Sequence, residues 1–211
     1  MSRNLIFAEE EIYHIYNRGV DKRTIFHDKF DFERFLTSMK EFNVVDPIGS
    51  IYENRFNKDK NKLGNGVSKL VEFICYCLNP NHFHFIIKQV SEKGIEKFMH
   101  RLLGYTKYYN HKYKRNGVLF QGPFRAIHIE SNEQLLHSSI YVNLNDKIHK
   151  LGNGVSKSSW GEYCGLEKEN ICNKDIILGQ FRDIKEFKEF SMNSLEWIIE
   201  NKKQAKFLFE E

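Results

Sequence analysis

The chain has 211 residues, with 32 Lys and Arg against 28 Asp and Glu, a net charge of +4, three prolines and four cysteines. That length allows one domain with a substantial core and a small appendage, and so little proline argues against long disordered linkers. No CxxC pair, signal-like apolar start or transmembrane-length apolar run occurs, so reduced packing thiols and a soluble, cytoplasmic protein with no membrane partner are expected.

Residues 11–18, EIYHIYNR, alternate loosely and read as a strand, followed by a turn at GVDKR. Asp28 opens a helix whose apolar face is Phe32, Phe35, Leu36, Met39 and Phe42. IGSIYENRF, at 48–56, is read as a strand and NKDKNKLGNGVSK as a polar loop. Residues 71–78 are a strand, broken at Pro80 and Asn81, and 82–90 are a second one. Ser91 is expected to cap one long helix reaching about Arg115, with Ile95, Phe98, Met99, Leu102, Thr106, Tyr109 and Tyr113 as its apolar stripe. GVLFQGPFRAIHIE reads as a strand or hairpin interrupted at QGP. Ser131 with Gln134 makes a capping-box start for a helix to about Asn145. A last helix is expected within 183–207.

The order β-α-β-β-α-β-α predicts an α+β fold of the split βαβ type, with an antiparallel or mixed sheet, helices on one face and a C-terminal helical tail. Residues 1–165 are expected to form the main domain and 166–211 a helical extension. The octapeptide KLGNGVSK occurs twice, at 62–69 and 150–157. Its Gly and Asn predict two surface loops, read most simply as tolerated insertions.

LNPNHFHF, at 78–85, carries the first chemical signal. On a strand His82 and His84 share one face, roughly 6–7 Å apart, while Phe83 and Phe85 turn to the core. That spacing suits two ligands of one metal ion, although alternating histidines are also common as simple surface or polar-core residues. On the helix from Ser131, Tyr141 and Asn145 stand one turn apart on one face. A tyrosine at helical spacing is usually a packing residue. Together, a hydroxyl nucleophile, two imidazoles and a carboxamide oxygen suit metal-assisted phosphodiester cleavage through a covalent tyrosine link.

Five segments then resemble, in order, those of the REP-associated tyrosine transposases of the single-tyrosine HUH endonuclease superfamily. They are YHIYNRG at 13–19, YCLNPNHFHF at 76–85, GIEKFMHRLLGYTKYYN at 94–110, LFQGPFRA at 119–126 and LLHSSIYVNLN at 135–145. The resemblance extends over about 11–165 and includes SSWGEYCG at 158–165. It implies a ferredoxin-like core, Mg²⁺ or Mn²⁺ as cofactor, and single-stranded DNA with hairpin-forming palindromic repeats as partner. It also implies a 5′-phosphotyrosine intermediate. His82 and His84 match the two histidines, Tyr141 the nucleophile and Asn145 the polar residue one turn later. The chain departs from the family pattern at Asn79 (often Met), Pro123 (often Arg) and Asp146 (often Pro); none of these is expected to touch the core site.

DNA binding requires phosphate neutralisation and surfaces for stacking. Candidate contacts are Arg101, Lys107, Lys112, Lys114 and Arg115 on the long helix, where tyrosines interleave them. Arg18, Lys22 and Arg23 in the first turn, and Arg125 beside Phe124, complete the set. An ordinary solvated helix face would present similar charges. The function expected is metal-dependent cleavage and strand transfer of single-stranded DNA, by a monomer or a homodimer. The alternatives are a non-catalytic nucleic-acid-binding module on the same scaffold and a metal-dependent RNase using water, which would not require Tyr141.

Overall fold

The computed structural model describes residues 5–54, 68–151, 155–167 and 170–201. Five antiparallel strands form one sheet: β1 (Ile12–Arg18), β2 (Val71–Asn79), β3 (His82–Gln89), β4 (Arg125–Ile129) and β5 (Lys157–Ser158), in the order β4-β1-β3-β2-β5. β1 and β2 are therefore parallel to each other with β3 between them, which is the split βαβ arrangement that the element order predicts.

Alternation along β3 divides the molecule. Phe83 and Phe85 face α1 (Lys29–Glu41), whose Phe35 ring lies 5.5 and 6.4 Å from theirs. On the same side α3 (Gly94–Leu102) brings Phe98 within 5.4 Å of Phe73, and α4 (Tyr105–Lys112) brings Tyr105 within 5.1 Å of Phe35. Such edge and offset aromatic contacts add about 0.5–1.5 kcal/mol each to the burial of the rings. The other face of β3, carrying His82 and His84, is covered by α5 (Asn132–Asn143), and α9 (Ile184–Glu200) packs behind α5. Phe187, Leu195 and Ile198 of α9 join the same hydrophobic cluster as the sheet.

Several boundaries differ from the sequence reading. Ile51–Asn54 is a short helix, α2, not a strand; it has four residues, and Ile51 and Asn54 bury its inner side. The single helix expected from Ser91 to Arg115 is two, separated at Leu103 and Gly104. The Gly104 N–H bonds back to the Arg101 carbonyl, and a Cβ there would stand 2.9 Å from that oxygen. Lys93, at φ 55°, rather than Ser91, precedes the first turn of α3. Only the second half of 117–130 is a strand, while Phe120 bridges singly to Gly19. The Ser131 cap is as expected, its hydroxyl accepting from the Gln134 N–H at 3.1 Å. The helix breaks at Leu144 before a short α6 (Asn145–Ile148). Of the expected segments, residues 55–67 (the end of the 48–56 strand and most of the polar loop with the first octapeptide copy), 152–154 of the second copy and 202–207 lie outside the described residues.

Two basic residues assigned to DNA by sequence have internal roles. Arg101 donates to the carbonyls of Phe42, Val44 and Val45 beyond the end of α1. Lys112 pairs with Asp31, whose side chain is fully buried, at 2.7 Å and with Asp28 at 3.0 Å. Burial opposes the charge on Lys112, but the hydrogen bonds to the two carboxylates outweigh it and hold the ammonium above its ordinary range. Asp31 also accepts from the Tyr113 hydroxyl and the His27 N–H. Lys112→Met should therefore act on stability, lowering it by roughly 1–3 kcal/mol in urea denaturation, because Asp31 stays buried with fewer partners. Hairpin affinity at fixed salt should change little; an unchanged midpoint with weakened DNA binding would reverse the assignment.

Candidate active site

Register brings the site together. β1 pairs with β3 so that Tyr16 lies opposite His84 and Arg18 opposite His82, and β2 places Asn79 opposite His82. All of these side chains rise from the face that α5 covers. Tyr16, Arg18, His82 and His84 line a cavity of about 580 Å³ together with Asn17, Lys22, Asn81, Gln121, Arg125, Tyr141 and His149, and Asn79 is buried behind His82.

The two histidines are held differently. His82 Nδ1 lies 2.6 Å from Asn81 Oδ1, which accepts from it and so fixes the proton on that nitrogen. Its Nε2 lone pair then faces Asn145 Oδ1 at 3.1 Å, with the Asn79 side-chain NH₂ donating to both, at 2.8 and 2.6 Å. Asn145 is fully buried, and its Nδ2 has no hydrogen-bond partner among the described residues. His84, also buried, is 2.9 Å from His14 Nε2 through its Nδ1. With that Nδ1 donating, Nε2 is left with its lone pair. Burial lowers His82 to about 4, partly opposed by the Asn145 oxygen, which favours the protonated ring, and reinforced by His149 and Arg18. Burial first, then the neighbouring His82 and His14, holds His84 well below the ordinary imidazole range. Burial thus disfavours the charged form of both rings.

Tyr141 approaches this pair from α5. Its ring is edge-on to His84, with centroids 5.9 Å apart at 85°, and edge-on to His14 at 6.4 Å. Tyr16 lies nearly parallel to His84, with ring centroids 5.6 Å apart at 16°. His149, one turn beyond Asn145, brings its ring to 5.4 Å from His82.

The structure thus gathers His82, His84, Asn145 and Tyr141 in one place, with Arg18, Lys22 and Arg125 at the rim. Lys107 and Lys114 are exposed but belong to α4 and the turn after it, in the layer on the opposite side of the sheet. Arg115 bonds Asn110 and the Val118 carbonyl, and Arg23 closes the short turn Val20–Lys22. That turn is tight: a Cβ on Gly19 would sit 2.2 Å from the Arg23 carbonyl oxygen, so only glycine fits.

Sequence reasoning missed four residues. His14 was visible only as an alternating residue on β1, and His149 as a further step in the 141, 145, 149 spacing. Asn79, expected to lie clear of the site, is in it, because the two-residue turn at 80–81 folds the end of β2 directly against His82. Ser156, in the second octapeptide, donates to Asn79 Oδ1 at 2.8 Å, and Lys157 joins the sheet edge, so these last two residues of the copy are not merely surface loop.

Among the described residues no group of three or more His, Cys, Asp and Glu is arranged to hold a metal. Two neutral imidazoles and a carboxamide oxygen are nonetheless a donor set that fits a divalent cation, and the facing lone pairs of His82 and Asn145 are an arrangement a cation would stabilise. No helix among the described residues is long and apolar enough to cross a membrane.

No family model and no curated protein matches the chain. Among solved structures, its fold is similar to that of a REP-associated tyrosine transposase bound to a REP hairpin, with a TM-score of 0.54 and 11% sequence identity, over 81% of this chain and 89% of that one. At that identity the likeness is one of fold.

Proposed function

We propose that the protein is a tyrosine-nucleophile endonuclease and strand transferase acting on single-stranded DNA beside hairpin-forming palindromic repeats. The observation that carries this reading is the Tyr141 ring, edge-on to His84 in the cavity that His82 also lines, with the buried Asn145 Oδ1 3.1 Å from His82 Nε2. The motif order in the sequence and the transposase-like fold support it.

His82, His84 and Asn145 would hold Mg²⁺ or Mn²⁺. When bound, the cation supplies Lewis acidity that polarises a non-bridging oxygen of the scissile phosphate. Tyr141 Oη attacks phosphorus, forming the tyrosyl O–P bond as the P–O3′ bond breaks. The departing 3′ oxygen takes up a proton, and the phosphodiester energy stays in the 5′-phosphotyrosine for rejoining. Asn81 and His14 fix the ring orientation of His82 and His84. Burial under α5 limits the access of water as a competing nucleophile.

Arg18, Lys22 and Arg125 at the rim would contact the phosphates leading into the cavity, with Arg23, Lys107, Lys114 and Arg115 available to a longer duplex stem. Replacing Arg18, Lys22 and Arg125 together with Gln should weaken hairpin binding and reduce the slope of log affinity against log salt by up to about two to three. An unchanged slope would place the phosphate track elsewhere. The function itself is tested by incubating the protein and Mn²⁺ with labelled single-stranded DNA containing a flanking palindromic repeat. A labelled band that survives denaturing electrophoresis and disappears on proteolysis is expected. Hairpin binding without any adduct would instead favour a non-catalytic binding module.

A further inference from the structure

Asn79 holds a position that neither the expected ligand set nor the nucleophile explains. It ends β2, is fully buried, and places its side-chain NH₂ 2.8 Å from His82 Nε2 and 2.6 Å from Asn145 Oδ1. These are the two atoms whose lone pairs a cation would need, so in this arrangement the amide hydrogens stand in for positive charge. A cation cannot share that space with an N–H group pointing into it. The carboxamide has, however, two ends of nearly equal size, and a half-turn about Cβ–Cγ exchanges the NH₂ for the oxygen.

The far end of the amide determines what that half-turn costs. Asn79 Oδ1 accepts from Ser156 Oγ at 2.8 Å and from the Cys77 thiol at 3.5 Å. A hydroxyl accepts as readily as it donates. After the turn, Asn79 Nδ2 would therefore donate to Ser156 Oγ, and the strongest outer bond would be reversed rather than lost.

We infer that Asn79 is an amide switch and a further metal ligand: its NH₂ bridges His82 and Asn145 in the absence of the cation, and its Oδ1 turns inward beside theirs when the cation binds. Ser156 is the pivot partner that satisfies either orientation. The second KLGNGVSK copy is on this account part of the site. The inference rests on the metal-dependent reading above.

The test uses the full chain and Mn²⁺ or Mg²⁺ alone, without DNA. Mn²⁺ affinity is measured by calorimetry for wild type, Asn79→Leu and Asn79→Asp. Loss of an oxygen ligand should weaken Asn79→Leu by roughly tenfold or more, whereas Asn79→Asp, with oxygen at both ends, should bind at least as tightly as wild type. Tighter or unchanged binding by Asn79→Leu would mean that the amide merely obstructs the site, and would overturn the inference. A second measurement on wild type is independent of how the variants fold. In NMR spectra with Mg²⁺, the Asn79 side-chain NH₂, identified by its loss in Asn79→Asp, should lose its nuclear Overhauser contact with His82 Hε1 and gain one with Ser156 Hβ. Retention of the His82 contact in protein saturated with Mg²⁺ would overturn the switch while leaving the metal site standing. Absence of any binding of either ion to wild type would remove the metal-dependent reading itself, and this inference with it.

Discussion

Tyr141→Phe is expected to abolish the covalent DNA–protein adduct and strand transfer while changing hairpin affinity by no more than a few-fold. One hydroxyl contributes only about 1 kcal/mol to binding, whereas the covalent link on Tyr141 requires its oxygen. The chain has rival tyrosines, and their surroundings set them aside. The Tyr105 and Tyr109 hydroxyls donate to the Ile25 and Thr24 carbonyls at 2.8 Å, and that of Tyr113 donates to Asp31 at 2.6 Å. Tyr108 also points to Asp31, at 3.4 Å, and burial raises Tyr113 to about 12, with the Asp31 bond adding to the effect. All four belong to the layer on the far side of the sheet from His82 and His84. Tyr16 is the one rival at the site. It stacks on the His84 ring from β1, whereas Tyr141 stands nearly perpendicular to that ring and comes from α5, one turn before Asn145. Peptide mapping should accordingly find the nucleotide on LLHSSIYVNLNDK. An adduct on EIYHIYNR, or undiminished adduct in Tyr141→Phe, would transfer the role to Tyr16 or beyond.

His82→Ala and His84→Ala should each reduce cleavage by two to three orders of magnitude or more, the scale of losing a principal electrostatic stabiliser of the transition state. Hairpin binding should persist, because Arg18, Lys22 and Arg125 lie at the rim. The two variants differ structurally. His84 is 1% exposed and bonded to His14, so its loss leaves the buried His14 Nε2 without that bond and costs about 1–3 kcal/mol of stability as well. His82 bonds Asn81 and Asn79 and is less buried than His84, and its replacement should melt closer to wild type. Thermal melts alongside the cleavage assay separate the two effects. Asn145→Ala should be milder in cleavage than either, since a carboxamide oxygen is a weaker and more replaceable ligand than imidazole. Wild-type cleavage by His82→Ala in Mg²⁺ would show that this ring is not a ligand.

Local rules sufficed for much of this. Period-two alternation placed His82 and His84 on one face and Phe83 and Phe85 on the other, because side-chain direction in a strand depends only on position within it. The caps at Asp28 and Ser131 were legible because each involves a residue three positions away. Tyr141 and Asn145 remain one turn apart although the helix breaks at Leu144, since the Leu144 and His149 N–H groups still bond four residues back.

Sequence by itself therefore determined which side of its own element each site residue occupies, and with that the α+β class, since these are contacts between near neighbours in the chain. Tertiary structure alone decided which elements meet. His14 reaches His84 across 70 positions through the β1–β3 register, and Ser156 reaches Asn79 across 77 through the β2 edge. Continuous helical periodicity could not reveal the break at Gly104, nor that Arg101 and Lys112 would find carbonyls and carboxylates of α1 and its flanks in place of solvent. A pattern records a residue's own direction, but a partner's identity depends on the packing of segments far apart in the chain, and no local period carries that information.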